Sequence, residues 1–354
     1  MKFYLKCLKI WFDILTPKQL LFFEPMIRRL RKNNQVLCTS RNYREVVELA
    51  KIRDVKLVLA GKHGGADKSD KLKASLRRMH RLSDIAKGFA PELTISFCSP
   101  EAARISYGLG VKHIAFSDSP HAEAVMRLSI PLVQKLLIPW IIPKKEFVRY
   151  GISKEDIVQY RAIDATVIAR EKSMNYSRND FFLKNKKTIL IRAEESQAAY
   201  ISGKKSKIIN IIREIAKEFS NHNVVILARY LPQIRQFKKE FGSKITVLDR
   251  VVDGKGLLRF TDVFIGSGGT MTAEAALMGV PTISYDAVPN HVEQYLVKNG
   301  LVRREMDSRK IVNLVKQILK SDVTKTRKKA RKILNSMEDP FSKLLVAIKT
   351  VSEL

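Results

Sequence analysis

Cysteine is scarce in this sequence: Cys7, Cys38 and Cys98 are the only three in 354 residues, odd in number and far apart. That pattern excludes a disulfide framework and any paired-thiolate metal spacing, and it fits reduced thiols in the cytosol. No apolar run reaches the ~20 residues that a membrane-spanning helix requires. The longest, Ile130 to Pro143, contains Gln134, Lys135 and three prolines. The opening stretch, MKFYLKCLKIWFDIL, has scattered lysines and no small-residue cleavage site, so no secretory leader is expected. No repeat with a period of about 20–50 residues is present. Acids are in short supply as well, with 35 Asp+Glu against 65 Lys+Arg, for a formal charge of +30.

What is present is enough apolar material, 45% of the chain, for two cores of about 100–200 residues each. The positive charge attracts polyanions. It is uneven: Arg309 to Lys332 carries ten basic residues against Asp322 alone, and Lys62 to Lys87 carries eight against three. A solvated helix face accounts for the first cluster equally well. There is no RNP-type aromatic motif, zinc finger or basic stretch interleaved with aromatics, so specific nucleic-acid binding is not expected. Peripheral contact with an anionic membrane, at about 1 kcal/mol per basic group, is the favoured use of the charge. It would place a cytoplasmic protein on the inner face. The apolar segment from Ser129 to Pro143, with Trp140, is the stretch expected to touch lipid or to cover a lipid-linked acceptor; an ordinary buried connection is the alternative.

Along the chain, short apolar strands alternate with amphipathic helices, the signature of parallel α/β sheets. LKIWFDIL, QVLCTS, VKLVLA, LTISF and HIAFS read as strands of a first sheet, and Thr16-Pro17 as the cap and first residue of a helix running to Leu30. The stretch from Ser119 to Gly151 reads as irregular. ATVIA (Ala165 to Ala169) reads as the strand that opens a second sheet, followed by TILIRA, VVILAR, ITVLD, VFIGS and PTISY. The expectation is α/β, with two doubly wound Rossmann-type domains over 1–164 and 165–339, a ligand cleft between them, and 340–354 packing back on the first.

The sharpest local signal is VFIGSGGTMTAEAALMGVPTISY. A buried strand runs into Gly266, Ser267, Gly268, Gly269 and Thr270, and a helix follows at once. Glycines let the backbone turn tightly while N–H groups and the helix dipole face the turn, which suits an anion such as a diphosphate. Glycines kept purely for packing are the alternative. Glu274 stands four residues after Thr270, on the same helix face, where it would hold a neutral diol such as ribose or simply complement the dipole.

Ser267, Gly268, Glu274, Gly279 and Pro281 together resemble the donor-binding segment of GT-B glycosyltransferases, most closely in spacing the N-acetylglucosaminyltransferase of peptidoglycan synthesis. The resemblance implies a UDP-sugar donor, its diphosphate at the glycine turn and its ribose on Glu274. Asp13 to Phe23, His63 to Gly65, Ser99 to Gly110 and Asp118 to Val125 resemble a prokaryotic domain-of-unknown-function family grouped with GT-B enzymes. His121-Ala122-Glu123-Ala124, with Arg127, is similar to a segment of UDP-N-acetylglucosamine 2-epimerases, which have glycine at the place of Val125 and paired acids at those of Thr272 and Ala273. In those enzymes the glutamate lies near the catalytic site.

The candidate acid–base residues are Asp13, at the end of the first strand (a helix cap otherwise), Asp118 and His121, which could pair, and Glu123. His63 is a phosphate ligand or plain surface. Arg192 and Arg229, each ending a strand, could clamp a diphosphate. His291 and Gln294, after PTISY, resemble a polar pair that contacts the donor sugar, and Asn290 is a helix cap in the other reading. No metal or other cofactor is expected. Sugar transfer to an unknown acceptor, a lipid-linked one among the options, is the preferred function. A nucleotide-sugar 2-epimerase and a non-catalytic basic binding protein are the alternatives.

Overall fold

The computed structural model describes residues 7–65, 67–172, 174–194, 207–228, 230–285 and 289–353. The chain divides into two compact units, Met1–Val167 with Glu338–Leu354, and Ile168–Met337.

Seven strands form the sheet of the N-terminal unit: β1 (Lys9–Ile14), β2 (Gln35–Asn42), β3 (Val58–Lys62), β4 (Leu93–Ser96), β5 (Lys112–Phe116), β6 (Lys135–Pro139) and β7 (Ile157–Tyr160). They run in the order β3-β2-β1-β4-β5-β6-β7, all parallel. The order reverses between β1 and β4, so the connections leaving the carboxyl ends of these two paired strands go to opposite sides of the sheet. Helices α1 (Pro17–Leu30), α2 (Arg44–Ile52), α3 (Lys68–Phe89), α4 (Pro100–Gly108), α5 (Glu123–Ser129) and α6 (Lys145–Val148) connect them. Thr16 caps α1, its hydroxyl accepting from the Gln19 N–H at 3.4 Å, with Pro17 as the first helical residue. Ser99 and Pro100 open α4 in the same way.

Two expectations are corrected here. The stretch from Ser119 to Gly151 contains the strand β6, and β7 follows it. Ile130, Leu136, Leu137 and Ile138 are wholly buried and Ile142 nearly so. Much of the apolar, proline-broken segment is therefore core, while Pro131 and Pro143 are exposed and Leu132, Trp140 and Ile141 half-buried; Pro131 falls at a 3₁₀ turn and Pro139 at the end of β6. ATVIA is not a strand but part of helix α7 (Ala165–Arg170). Ala165 to Ile168 are buried one after another, and a short apolar run of that kind fits a buried helix as well as a strand.

The C-terminal unit holds β8 (Thr188–Arg192), β9 (Asn223–Leu227), β10 (Thr246–Leu248), β11 (Val263–Gly266), β12 (Thr282–Ser284) and β13 (Val302–Arg304), with α8 (Ile208–Glu218), α9 (Leu231–Phe241), α10 (Gly254–Leu258), α11 (Thr270–Leu277), α12 (His291–Lys298), α13 (Ser308–Lys320) and α14 (Thr324–Ser336). The order is β10-β9-β8-β11-β12-β13, again parallel, with the reversal between β8 and β11. Its main core packs Ile189, Ile191, Val224, Ile226 and Ile265 against Ile211, Ile215, Ile311 and Val315. Helix α15 (Pro340–Ser352) belongs to the N-terminal unit, where Leu344, Ala347, Ile348 and Val351 are buried and the helix packs beside β5, β6 and β7.

Candidate functional site

In the C-terminal unit the glycine turn stands at the carboxyl end of β11, at the reversal of strand order. Gly268 and Gly269 have φ of 80° and 83°, backbone that a side chain would strain. Gly269 is the N-cap of α11 and has no side chain with which to cap it. Thr272 Oγ1 donates to the Gly268 carbonyl at 3.0 Å and fixes the turn from within the helix. Gly266 is held by packing: a Cβ there would lie 2.6 Å from Phe264 and 2.7 Å from Thr272 Oγ1. Gly279 has φ of 76°, and a Cβ on it would meet the Arg327 backbone at 2.9 Å, so the Gly-x-Pro step serves the approach of α14. Ser267 and Thr270 are half-buried, whereas Glu274 is only 5% exposed, more enclosed than an open helix face.

Around the turn, Arg192 directs its Nη1 to the carbonyls of Leu227 (3.3 Å) and Ala228 (3.2 Å), at the end of the neighbouring strand. Tyr285 lies next to it, with its hydroxyl 2.8 Å from Glu194 Oε2; burial, then Glu194, pushes this phenol well above its ordinary pKa. Asn290 caps α12, accepting from the Glu293 N–H at 2.9 Å. His291 is half-buried and Gln294 exposed, and between them Glu293 is buried against Ser284 with Arg304 Nη1 3.9 Å away. Arg229 lies outside the described residues.

The carboxyl edge of the N-terminal sheet carries a charged cluster. Lys18, second residue of α1, ion-pairs with Asp118 Oδ2 at 2.5 Å and Asp164 Oδ2 at 2.7 Å, and its ammonium sits 4.8 Å from the Phe97 ring centroid. Tyr160 donates to Asp164 Oδ1, and Ser119 to Asp118 Oδ1. Burial opposes the charge on Lys18, but the two carboxylates outweigh it and raise its pKa. Burial likewise raises Asp118, and Lys18 more than reverses that. Asp164, 3% exposed, is pushed up to about 6 by burial and by Asp118, against the pull of Lys18. His121 stands exposed beyond Asp118; partial desolvation lowers its pKa from the ordinary value, with Asp118 opposing and Lys18 assisting. Glu123 faces its own helix, accepting from Arg127 Nε at 2.8 Å, and both side chains are about two-thirds exposed.

Asp13 is enclosed, with no exposed surface. Its Oδ1 accepts from Thr39 Oγ1 and Arg78 Nη2 and its Oδ2 from Ser99 Oγ, each at 2.6 Å. As an acceptor-activating base Asp13 would need a lone pair facing a substrate. Here both oxygens are committed to β2, α3 and the cap of α4. The capping alternative is equally set aside, since Thr16 caps α1.

Residues 8–352 match the family described as protein of unknown function (DUF354). The chain belongs to that family. An uncharacterised protein of Methanocaldococcus jannaschii, MJ0665, is 27% identical to it over 325 residues, 88% of this chain and 92% of the other. Among solved structures, the UDP-GlcNAc 2-epimerase from Neisseria meningitidis bound to UDP-GlcNAc aligns with a TM-score of 0.72 at 16% identity, over 98% of this chain and all of that one. The Methanocaldococcus jannaschii UDP-GlcNAc 2-epimerase in complex with UDP-GlcNAc and UDP gives 0.67 at 16% identity, over 92% and 98%. The spinosyn forosaminyltransferase SpnP gives 0.66 at 13% identity, over 98% and 100%. The DUF354 chain thus has the GT-B fold of two parallel-sheet α/β domains.

Three members of the charged cluster in this DUF354 protein escape a reading of its sequence. Lys18 lies within the Asp13–Phe23 resemblance without being singled out by it, Tyr160 and Asp164 carry no motif, and only the strand order brings positions 18, 118 and 164 to one edge. A signal did exist: an acid just after a buried strand, Asp118, needs a counter-charge, and Lys18 stands two residues after the cap Thr16 at the same edge. Among the described residues no helix is long and apolar enough to cross a membrane.

Proposed function

We propose that this protein is a cytoplasmic enzyme that binds a nucleoside-diphosphate sugar, UDP-linked in the first instance, and transfers the sugar to a hydroxyl of an acceptor. The donor reading is supported by the turn at Gly268 and Gly269, whose uncapped helix start offers N–H groups and positive dipole to a diphosphate. The same groups would offset the charge of the departing diphosphate, so the reading calls for no metal ion. Neighbours of the same fold bind UDP-GlcNAc and UDP.

Transfer, rather than epimerisation, rests on one observation. His121 is exposed and has a lowered pKa, so it is neutral at pH 7 beside Asp118, whereas Glu123 is tied to Arg127. Transfer needs a single base, and a neutral imidazole whose protonated form a nearby carboxylate stabilises is suited to it. Epimerisation needs acid–base groups on both sides of the sugar's second carbon. It stays the second reading because His121 and Glu123 keep the spacing found in the epimerases.

Incubation with UDP-sugars separates the readings. Free UDP formed only when an acceptor is supplied supports transfer, an altered sugar without acceptor supports epimerisation, and binding without turnover removes both. Glu274→Ala is expected to weaken UDP binding about tenfold to a hundredfold or more, through loss of one or two charge-assisted hydrogen bonds of about 1.5–3 kcal/mol each. Glu274→Gln should fall between, since the amide still accepts. Calorimetric titration of UDP into all three proteins is the measurement; a folded Glu274→Ala that binds as tightly as wild type ends the ribose assignment.

A further inference from the structure

We propose that Arg41, together with His63 and Arg78, forms an oxyanion subsite in the N-terminal unit that holds the phosphate or carboxylate of a substrate. Its assignment to the acceptor rests on the function proposed above; the anion site itself does not.

Arg41 lies near the carboxyl end of β2, where the pairing with β3 breaks register between Ser40 and Asn42. Such irregularities re-aim a side chain at the rim of a sheet. The arginine is half-buried, its Nε is enclosed without a hydrogen-bond partner, and it makes no ion pair with a carboxylate among the described residues. Its guanidinium lies 5.7 Å from the Tyr43 ring centroid, and Tyr43 stacks on His63 at 5.3 Å and 29°. The Gly65 N–H donates to His63 Nδ1 at 3.1 Å, so the neutral ring carries its proton on Nε2.

A second guanidinium is near enough to act on that of Arg41 electrostatically. Arg78 is 1% exposed, donates to the Ala60 carbonyl at 3.2 Å and to Asp13 at 2.6 Å, and keeps Nη1 enclosed without a hydrogen-bond partner, 3.4 Å from Glu101 Oε2. Asp13 and Glu101 are thus turned toward Arg78, and Arg41 is left with the like charge. Burial first, then Arg78, lowers the Arg41 pKa, with Glu101, Tyr43 and Asp13 opposing. A guanidinium partly removed from water, beside another cation and with an unmet donor, is costly unless a ligand supplies the counter-charge. Its planar fork suits a two-oxygen partner, phosphate or carboxylate, which also gives the His-Gly-Gly loop a task.

The test is titration of the full-length protein with inorganic phosphate and, separately, acetate at constant ionic strength. The reporter is the side-chain Nε–H resonance of Arg41, identified by its absence in Arg41→Lys. Phosphate or acetate should shift that resonance, the tighter of the two naming the oxyanion. By calorimetry the same ion should bind Arg41→Ala about tenfold to a hundredfold more weakly. Arg41→Met, without ligand, should melt no lower than wild type, because an uncompensated charge is removed. No shift of the resonance at saturating phosphate and acetate, equal affinity in Arg41→Ala, or a marked fall in melting temperature in Arg41→Met would each overturn the subsite. UDP affinity should be the same in wild type and Arg41→Ala. If neither binds UDP while the Arg41 resonance still responds, the donor reading has failed and the anion site stands.

Discussion

Replacing His121 with alanine is expected to lower the rate of sugar transfer about 10²–10⁴-fold, the usual contribution of a positioned base. UDP affinity should stay unchanged, because the groups proposed to hold the donor lie in the other unit. The pH profile carries a sharper signature. A base works in its deprotonated form, and the His121 pKa lies below the ordinary 6.5 in the free protein, so the rising limb of kcat/KM should fall below pH 6.5. Asp118→Asn removes the charge that opposes this shift and should move the limb further down. Steady-state rates across pH 4–8 for wild type, His121→Ala and Asp118→Asn decide the matter. If His121→Ala turns over at the wild-type rate, the base is elsewhere.

The largest stability effect is expected from Lys18→Met. Removing the ammonium leaves Asp118 and Asp164 facing each other in a mostly buried site, where breaking such a set by deleting one partner costs about 3–5 kcal/mol. The deficit should itself depend on pH. Without Lys18 both carboxyls lose the pull that favours ionisation, so their folded-state pKa values rise above the unfolded ones. A raised acid pKa favours the folded state at low pH and penalises it as pH rises through the folded value. In the wild type Asp164 already stands at about 6, and in Lys18→Met the penalty should be greatest above that and shrink toward pH about 4. Urea denaturation of both proteins at pH 4.5 and 7.5 measures it. A deficit below about 1 kcal/mol at pH 7.5 would mean that the cluster relaxes or takes in water.

These expectations show which parts of the molecule local sequence conveys. Strand–helix alternation, the Thr16-Pro17 and Ser99-Pro100 helix starts and the glycine turn before Thr270 are short-range features, and each is legible because its cause lies within a few residues. β6 was hidden because Gln134, Lys135 and its bounding prolines interrupt the apolar signal, and α7 because a short buried run has no distinguishing period. Asp13 read as a free carboxylate for a different reason. Its partners Thr39, Arg78 and Ser99 lie 26, 65 and 86 residues away. Nothing local reveals that the acid is consumed in holding three elements together, just as nothing local joins Lys18 to Asp164.

The position of α15 has a consequence for biosynthesis. The helix lies against β5, β6 and β7, yet in the chain it follows the whole of the six-stranded unit. Domains generally fold as units while synthesis proceeds. The unit translated first is therefore the one completed last: the second can close its core while the first still exposes the apolar surface that Leu344, Ala347, Ile348 and Val351 later cover. A nascent chain stalled before Pro340 should accordingly bind hydrophobic-surface chaperones through its amino-terminal half.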